Sequence, residues 1–400
     1  MDKIYYIDPE NGSSSADGLS PETAVSSPRC ISPEAGDTIL LKRGTTFRGA
    51  IFSPNGTPDA PIVWSAYGEG ELPIVSGSVD FSDAEKWKNV RENIWEAVGL
   101  PMDEVCNIIF NGGESFGTLR WNEEDLCGDG DFIFSHFGVS GKIPAGETPR
   151  LLVYSHDNPG VLYDSIELAV FGSRCVAQAV HDVVFSDIAF INSGVHGFAT
   201  ANAARISILR CRFENIGGCV WSKKLKIRFG NGVEFWDKAM DSRVEDCVFN
   251  EIYDSCTTHQ GARTTPPMRI TIRGNKFRNY GMAAFELREL IPIDTIFSDN
   301  VCEGAGVGFA MQGDLHPRRS EIFPQPMGHH IFAWKIPHAT ERGSMWVERN
   351  YFGSAPEGSA EYSIIAPEAE DQIHFSDNFY ETGRPERDLF RYGKYTIGEN

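Results

Sequence analysis

No apolar run in this sequence approaches the ~18–20 residues of a membrane-spanning helix, so no membrane partner is expected. Basic residues are scarce: 36 Lys and Arg stand against 56 Asp and Glu, a formal charge of -20. Phosphate backbones need a basic face, so nucleic acid is not an expected partner. A strongly anionic polymer would need a local basic patch. No Cys-x-x-Cys pair occurs, and the nine cysteines are odd in number in a long chain. Their spacing indicates neither a disulfide framework nor a zinc site. Cys211, Cys247 and Cys302 fall in repeat-like segments and read as small core residues. No long 3.6-residue apolar period is visible. No secretory leader precedes the first strand-like segment. The chain as given therefore reads as cytoplasmic, or as secreted or periplasmic if a signal peptide has been removed.

What is present is frequent short strands with frequent turns. KIYYID (3–8), TILLK (38–42), TFRGAIF (46–52) and PIVWSAY (61–67) are β-rich runs separated by Gly, Pro and Asn. The Asp and Asn residues of the loop at 9–24 could hold calcium, but their spacing fits no EF-hand, so no cofactor is indicated. Residues 79–170 interrupt the pattern and read as an inserted β-rich subdomain, with Trp87, Trp95 and Trp121 as its small core.

From residue 180 a repeat is legible: SDIAF, LRCRF, EDCVF, RGNKF, SDNVC, ERNYF and SDNFY. Their third residues are Ile188, Cys211, Cys247, Asn275, Asn300, Asn350 and Asn378, stepping by 23, 36, 28, 25, 50 and 28 on subtraction. A base period in the twenties with insertions is the signature of a solenoid coil. Asn at four matched positions predicts an internal ladder satisfying turn backbone groups. The long steps put insertions at 221–231 and 315–344, the natural walls of a cleft.

Between those walls lie GVEFW (232–236), CTTHQ (256–260), AFELR (284–288) and FAMQGD (309–314). Read as stacked strands with Phe235, Thr258, Phe285 and Met311 inward, they present Glu234, Trp236, His259, Glu286, Arg288, Gln312 and Asp314 on one outer strip. Glu234 and Glu286 are the expected catalytic pair, since glycosidic cleavage uses one carboxylic acid and one carboxylate. For either Glu alone, the bland alternative is a solvated strand residue. His259 is expected to tune their charge, oriented by Asp254 or Gln260; a lone His is otherwise a structural residue. Asp314 is a reserve carboxylate or a turn-former. Trp236 and Asp237 suit stacking on and hydrogen bonding to a sugar ring. Gln260, Arg288, Gln312 and Asp254 complete the expected substrate contacts. No metal ligand set is expected: His316, His329, His330 and His338 match no zinc spacing.

The segment YYIDPENGSSSADGLSPETA, with AGDTILLKRGTTFRG and APIVWSAYGEGELPIVSGS, resembles the entry of right-handed parallel β-helix proteins of the pectate-lyase-like superfamily. It covers most of residues 3–78. Residues 233–261 look like the central coils of β-helix glycoside hydrolases related to xylanase and fucosidase families. The resemblance implies an all-β, right-handed parallel β-helix whose relatives are mostly carbohydrate-active: lyases, glycoside hydrolases and epimerases. The expected organisation is 1–78 as first coils, 79–170 as insertion and 171–400 as main coils with the cleft. The expected function is hydrolysis of an oligo- or polysaccharide with inversion. The alternatives are a lyase acting on a uronate polymer and a non-catalytic carbohydrate-binding β-helix. For the lyase, Lys223, Lys224, Lys226 and Arg228 or Arg318, Arg319, His329 and His330 would supply cations, though both sets read as solvated loop charge.

Overall fold

The structure is a computed structural model. It describes residues 2–101, 103–136, 143, 145–172, 175–177, 179–261, 264–312, 327–355, 360–381 and 390–393. Among the described residues, three parallel sheets run the length of the coil, one of ten strands and two of nine. The chain visits them in turn, so each circuit adds one strand to each sheet and the fold is an all-β parallel β-helix. Parallel crossovers of this kind coil right-handed.

The repeat explains the coil. Each repeated segment crosses from the first sheet to the second through one left-handed residue: Asp187, Arg210, Asp246, Gly274, Asp299, Arg349 and Asp377 have φ between 51° and 69°. The next residues are the seven predicted to stack, and those after them are in register across the second sheet: Ala189, Arg212, Val248, Lys276, Val301, Tyr351 and Phe379. The asparagines form the expected ladder. Asn275 Nδ2 donates to Asn300 Oδ1 at 3.1 Å, Asn300 to Asn350 at 3.0 Å and Asn350 to Asn378 at 3.0 Å. Each Oδ1 also accepts the backbone N–H of the preceding ladder position, and each Nδ2 reaches a strand carbonyl. Two residues on, Phe190, Phe213, Phe249 and Phe277 pile up inside the coil with centroids 4.9–5.3 Å apart.

The coil is interrupted after Ile74–Ser76. Ser78–Asp80, Val105–Phe110, Ser115–Phe116 and Ile166–Val170 form a four-stranded antiparallel sheet, beside a five-stranded sheet that includes Ile94–Ala97 and Leu151–Tyr154. Trp87 and Trp121 are buried in its core, and Trp95 packs on it.

The third sheet carries the cleft. Its central strands are β1 (Phe198–Ala201), β2 (Val233–Trp236), β3 (Ser255–Gln260), β4 (Ala283–Arg288) and β5 (His329–Ile336). Two expectations fail here. Phe309–Met311 is a single 3-10 turn, not a strand. The strand after β4 is β5, within the segment expected to be a loop. His330 is buried in the coil, its Nδ1 2.5 Å from Tyr280 Oη. The segment FAMQGD resembles a coil strand because it sits one ordinary period past β4; the true strand follows an insertion.

Candidate functional site

The register of the third sheet decides which side chains leave the coil. Glu234, Thr258, Glu286 and Phe332 face one another across β2, β3, β4 and β5. Trp236 pairs with Gln260, and Arg288 with Trp334, so these extend the same outer row. The alternate row, Phe235, His259, Leu287 and Ala333, points into the core. In β2, β4 and β5 the alternating apolar residues fix this parity, because a one-residue slip would expose the whole apolar set. In β3 the inward residues are Thr257 and His259, so the strand's own pattern does not reveal its face; its neighbours impose it.

His259 is therefore a correction. It is 2% exposed, packed between the rings of Phe235 at 5.6 Å and Phe285 at 5.1 Å. Neither ring nitrogen has a hydrogen-bond partner among the described residues. Burial pushes its pKa down to about 3, so the ring is neutral. It cannot sit between the two glutamates or tune them by its charge. Thr258 occupies that place.

Glu234 and Glu286 are both buried, at 8% and 3% exposure. Glu234 Oε2 accepts Asn231 Nδ2 at 2.7 Å and Gln260 Nε2 at 2.6 Å. His196 Nε2 lies 3.7 Å from the same oxygen. The His196 Nδ1 accepts the Asn231 N–H at 3.1 Å, which leaves the ring proton on Nε2, facing the carboxylate. Glu286 accepts the Trp334 indole N–H on Oε1 at 2.8 Å and the Ser255 hydroxyl on Oε2 at 3.0 Å. Asn231 Oδ1 also accepts the Ser255 N–H at 3.0 Å, so one hydrogen-bonded chain joins the two carboxylates.

Glycine makes this geometry available. A Cβ on Gly230 would lie 2.1 Å from Gly217 Cα. That contact lets the hairpin Cys219–Ser222 with Ile227–Phe229 leave the coil and return to Asn231. The hairpin is the expected wall at 221–231. Arg228, expected to be solvated, is instead buried within it over the Tyr253 ring.

A cavity of about 300 Å³ opens over the outer row. Glu234, Gln260, Glu286 and Arg288 line it from the sheet, Asp254 from the turn before β3, and Trp221, Ile227 and Phe229 from the hairpin. Trp334 and Lys335 add the edge at β5. Trp221 and Trp236 are exposed. Arg288 stands 5.8 Å from the Trp236 ring and 5.2 Å from that of Trp334, and Lys335 lies 4.4 Å over Trp334. Half-burial, and then the nearby Arg288 cation, hold the Lys335 ammonium below the usual lysine range. Burial raises the carboxyl of Glu289, which accepts the Gly261 N–H.

Six of the expected site residues thus meet in the cavity: Glu234, Trp236, Asp254, Gln260, Glu286 and Arg288. Asp237 follows β2 with φ 61° and is not among the lining residues. Gln312 follows the 3-10 turn and does not line it either. Asp314 lies outside the described residues. His196, Asn231, Trp334 and Lys335 are not legible as site residues from the sequence motifs. The signal for the last two is the alternation of HHIFAWKI, which reads as a strand once the insertion before it is allowed for.

No protein-family model and no curated protein matches the chain. Solved structures do. The structure of XylC with xylose matches with a TM-score of 0.53 at 11% identity over 94% of this chain. The chain spans 62% of the XylC chain. A glycoside hydrolase matches at 0.47 and 11% identity, over 95% of this chain and 96% of that one. A rhamnogalacturonan lyase matches at 0.46 and 11%, over 90% and 72%. At this identity the likeness to XylC is one of fold.

Proposed function

We propose that the protein is a glycoside hydrolase acting on an oligo- or polysaccharide by inversion. The observation that carries this reading is the pair Glu234 and Glu286, buried on the outer face of one sheet with a single strand between them, in a cavity rimmed by indoles. The xylose held by XylC is in keeping with it.

Two rungs of parallel sheet separate the backbones by about 9–10 Å. Carboxyl groups roughly 6.5–9.5 Å apart leave room for the water that inversion requires, whereas about 5–5.5 Å would indicate retention. Glu286 takes a donor on each oxygen, and one of the two glutamates serves as general acid while the other serves as general base. Glu234 takes donors from Asn231 and Gln260 on Oε2. Trp221 and Trp236 would stack on sugar rings.

Assay against a panel of aryl glycosides and oligosaccharides tests the proposal. Glu234→Gln and Glu286→Gln should each cut turnover by about 10²–10⁴-fold with the fold intact, and the first product should have inverted anomeric configuration by NMR. Near-normal turnover in both variants would sink it.

A polysaccharide lyase is the second reading, favoured by one observation: Lys335 stands half-buried at the cavity edge beside Arg288, with its pKa shifted downward, the direction a proton-abstracting base requires. Its products would absorb in the unsaturated-uronate band, and Lys335→Met would abolish them. Binding without turnover of any substrate would leave a carbohydrate-binding β-helix.

A further inference from the structure

Where the inserted unit meets the cleft wall, three side chains converge that the proposed chemistry does not use. Glu104 immediately precedes the strand Val105–Phe110, and Cys106 is the second residue of that strand, where its register against Ile166–Val170 shifts. Cys219 opens the hairpin strand Cys219–Ser222, 113 residues further along the chain by subtraction. One carboxylate oxygen of Glu104 and the two sulfurs all lie within 4.8 Å of one another. The three residues are at most 1% exposed. Val195, Phe171 and Phe229 enclose the sulfurs in apolar surface. The Glu104 carboxylate accepts the Val220 N–H at 3.1 Å. Arg228, on the returning hairpin strand, donates Nη2 to the Cys106 carbonyl at 2.9 Å and Nε to that of Gly218 at 2.6 Å.

We propose that Glu104, Cys106 and Cys219 bind a divalent cation of the zinc class, tying the inserted unit to the hairpin that walls the cleft. Two thiolates and a carboxylate carry three negative charges. A divalent ion and the Arg228 guanidinium together balance them, which a buried, apolar surrounding requires. Thiolate ligands select zinc over calcium or magnesium. Three protein ligands leave one tetrahedral position open. The hairpin held this way carries Trp221, Ile227 and Phe229, so the ion would brace the cleft wall.

Cobalt(II) tests the site independently of any enzymatic activity. Added to the metal-free full chain, Co²⁺ should give thiolate-to-metal charge-transfer and tetrahedral d–d bands that saturate at one equivalent and are displaced by Zn²⁺. Cys106→Ser should remove most of the charge-transfer intensity. Glu104→Gln, nearly isosteric, should weaken Co²⁺ by about tenfold or more and carries the test if the serine variant does not fold. Cys30→Ser, at an exposed cysteine, should leave the spectrum unchanged. The proposal is overturned if no charge-transfer band forms, if the band survives both Cys106→Ser and Glu104→Gln, or if peptide mapping finds Cys106 and Cys219 joined as a disulfide.

Discussion

His259 shows how a polar residue in a strand can mislead. Its type suggests the outer face, yet the register between Phe235 and Leu287 turns it inward, where it is neutral and has no hydrogen-bond partner among the described residues. Exchanging such a group for an apolar one of similar size is close to neutral or stabilising at pH 7. His259→Leu should therefore keep the activity of the parent within about threefold and lose no stability at that pH. The acid side differs. The folded pKa of about 3 lies below the ordinary 6.5, so the unfolded chain binds the extra proton and stability falls as pH drops from about 6.5 toward 3. His330, held down to about 4 by burial, adds to the same loss. Urea unfolding at pH 7 and pH 5 should show a smaller loss in His259→Leu than in the parent. An equal loss, or an inactive variant, would return His259 to the catalytic set.

At the scale of the coil, the asparagine ladder is the element most exposed to a single substitution. Asn300 accepts both the N–H and the side-chain amide of Asn275, and donates to the Ile272 carbonyl and Asn350. Asn300→Ala leaves buried donors and acceptors without partners, at about 1–3 kcal/mol for each group. A loss of about 3 kcal/mol is expected by denaturant unfolding. Asn378, only partly buried, stands at the end of the described ladder, and Asn378→Ala should cost about 1 kcal/mol. Equal losses at the two positions would mean that burial does not set the ladder's strength. The ladder and the phenylalanine stack hold the rungs in register, and that register puts Glu234 and Glu286 two strands apart.

Over the whole molecule the nine cysteines are free thiols, seven of them buried and Cys30 and Cys127 exposed. In the native, metal-free state a thiol reagent should label those two rapidly and the others only on unfolding. Denatured without reductant, the chain should titrate close to nine. A count of nine would favour a reducing compartment, and a count short by pairs an oxidising one.

The seven repeated segments and the four asparagines carried enough local signal to define the coil and its turns, because side-chain period and turn chemistry are properties of neighbouring residues. The alternation in GVEFW and AFELR likewise put Glu234 and Glu286 on the outer face. The rest depended on contacts between distant segments. The face of Ser255–Gln260 is set by the strands on either side. The strand His329–Ile336 follows an insertion that shifts the period. His196 and Asn231 reach Glu234 only because Gly217 and Gly230 bring two backbones together. Glu104, Cys106 and Cys219 meet only where the insertion folds back onto the hairpin. Spacing along a chain cannot report such meetings, since loops of any length can close them at an entropic cost that grows only slowly with length.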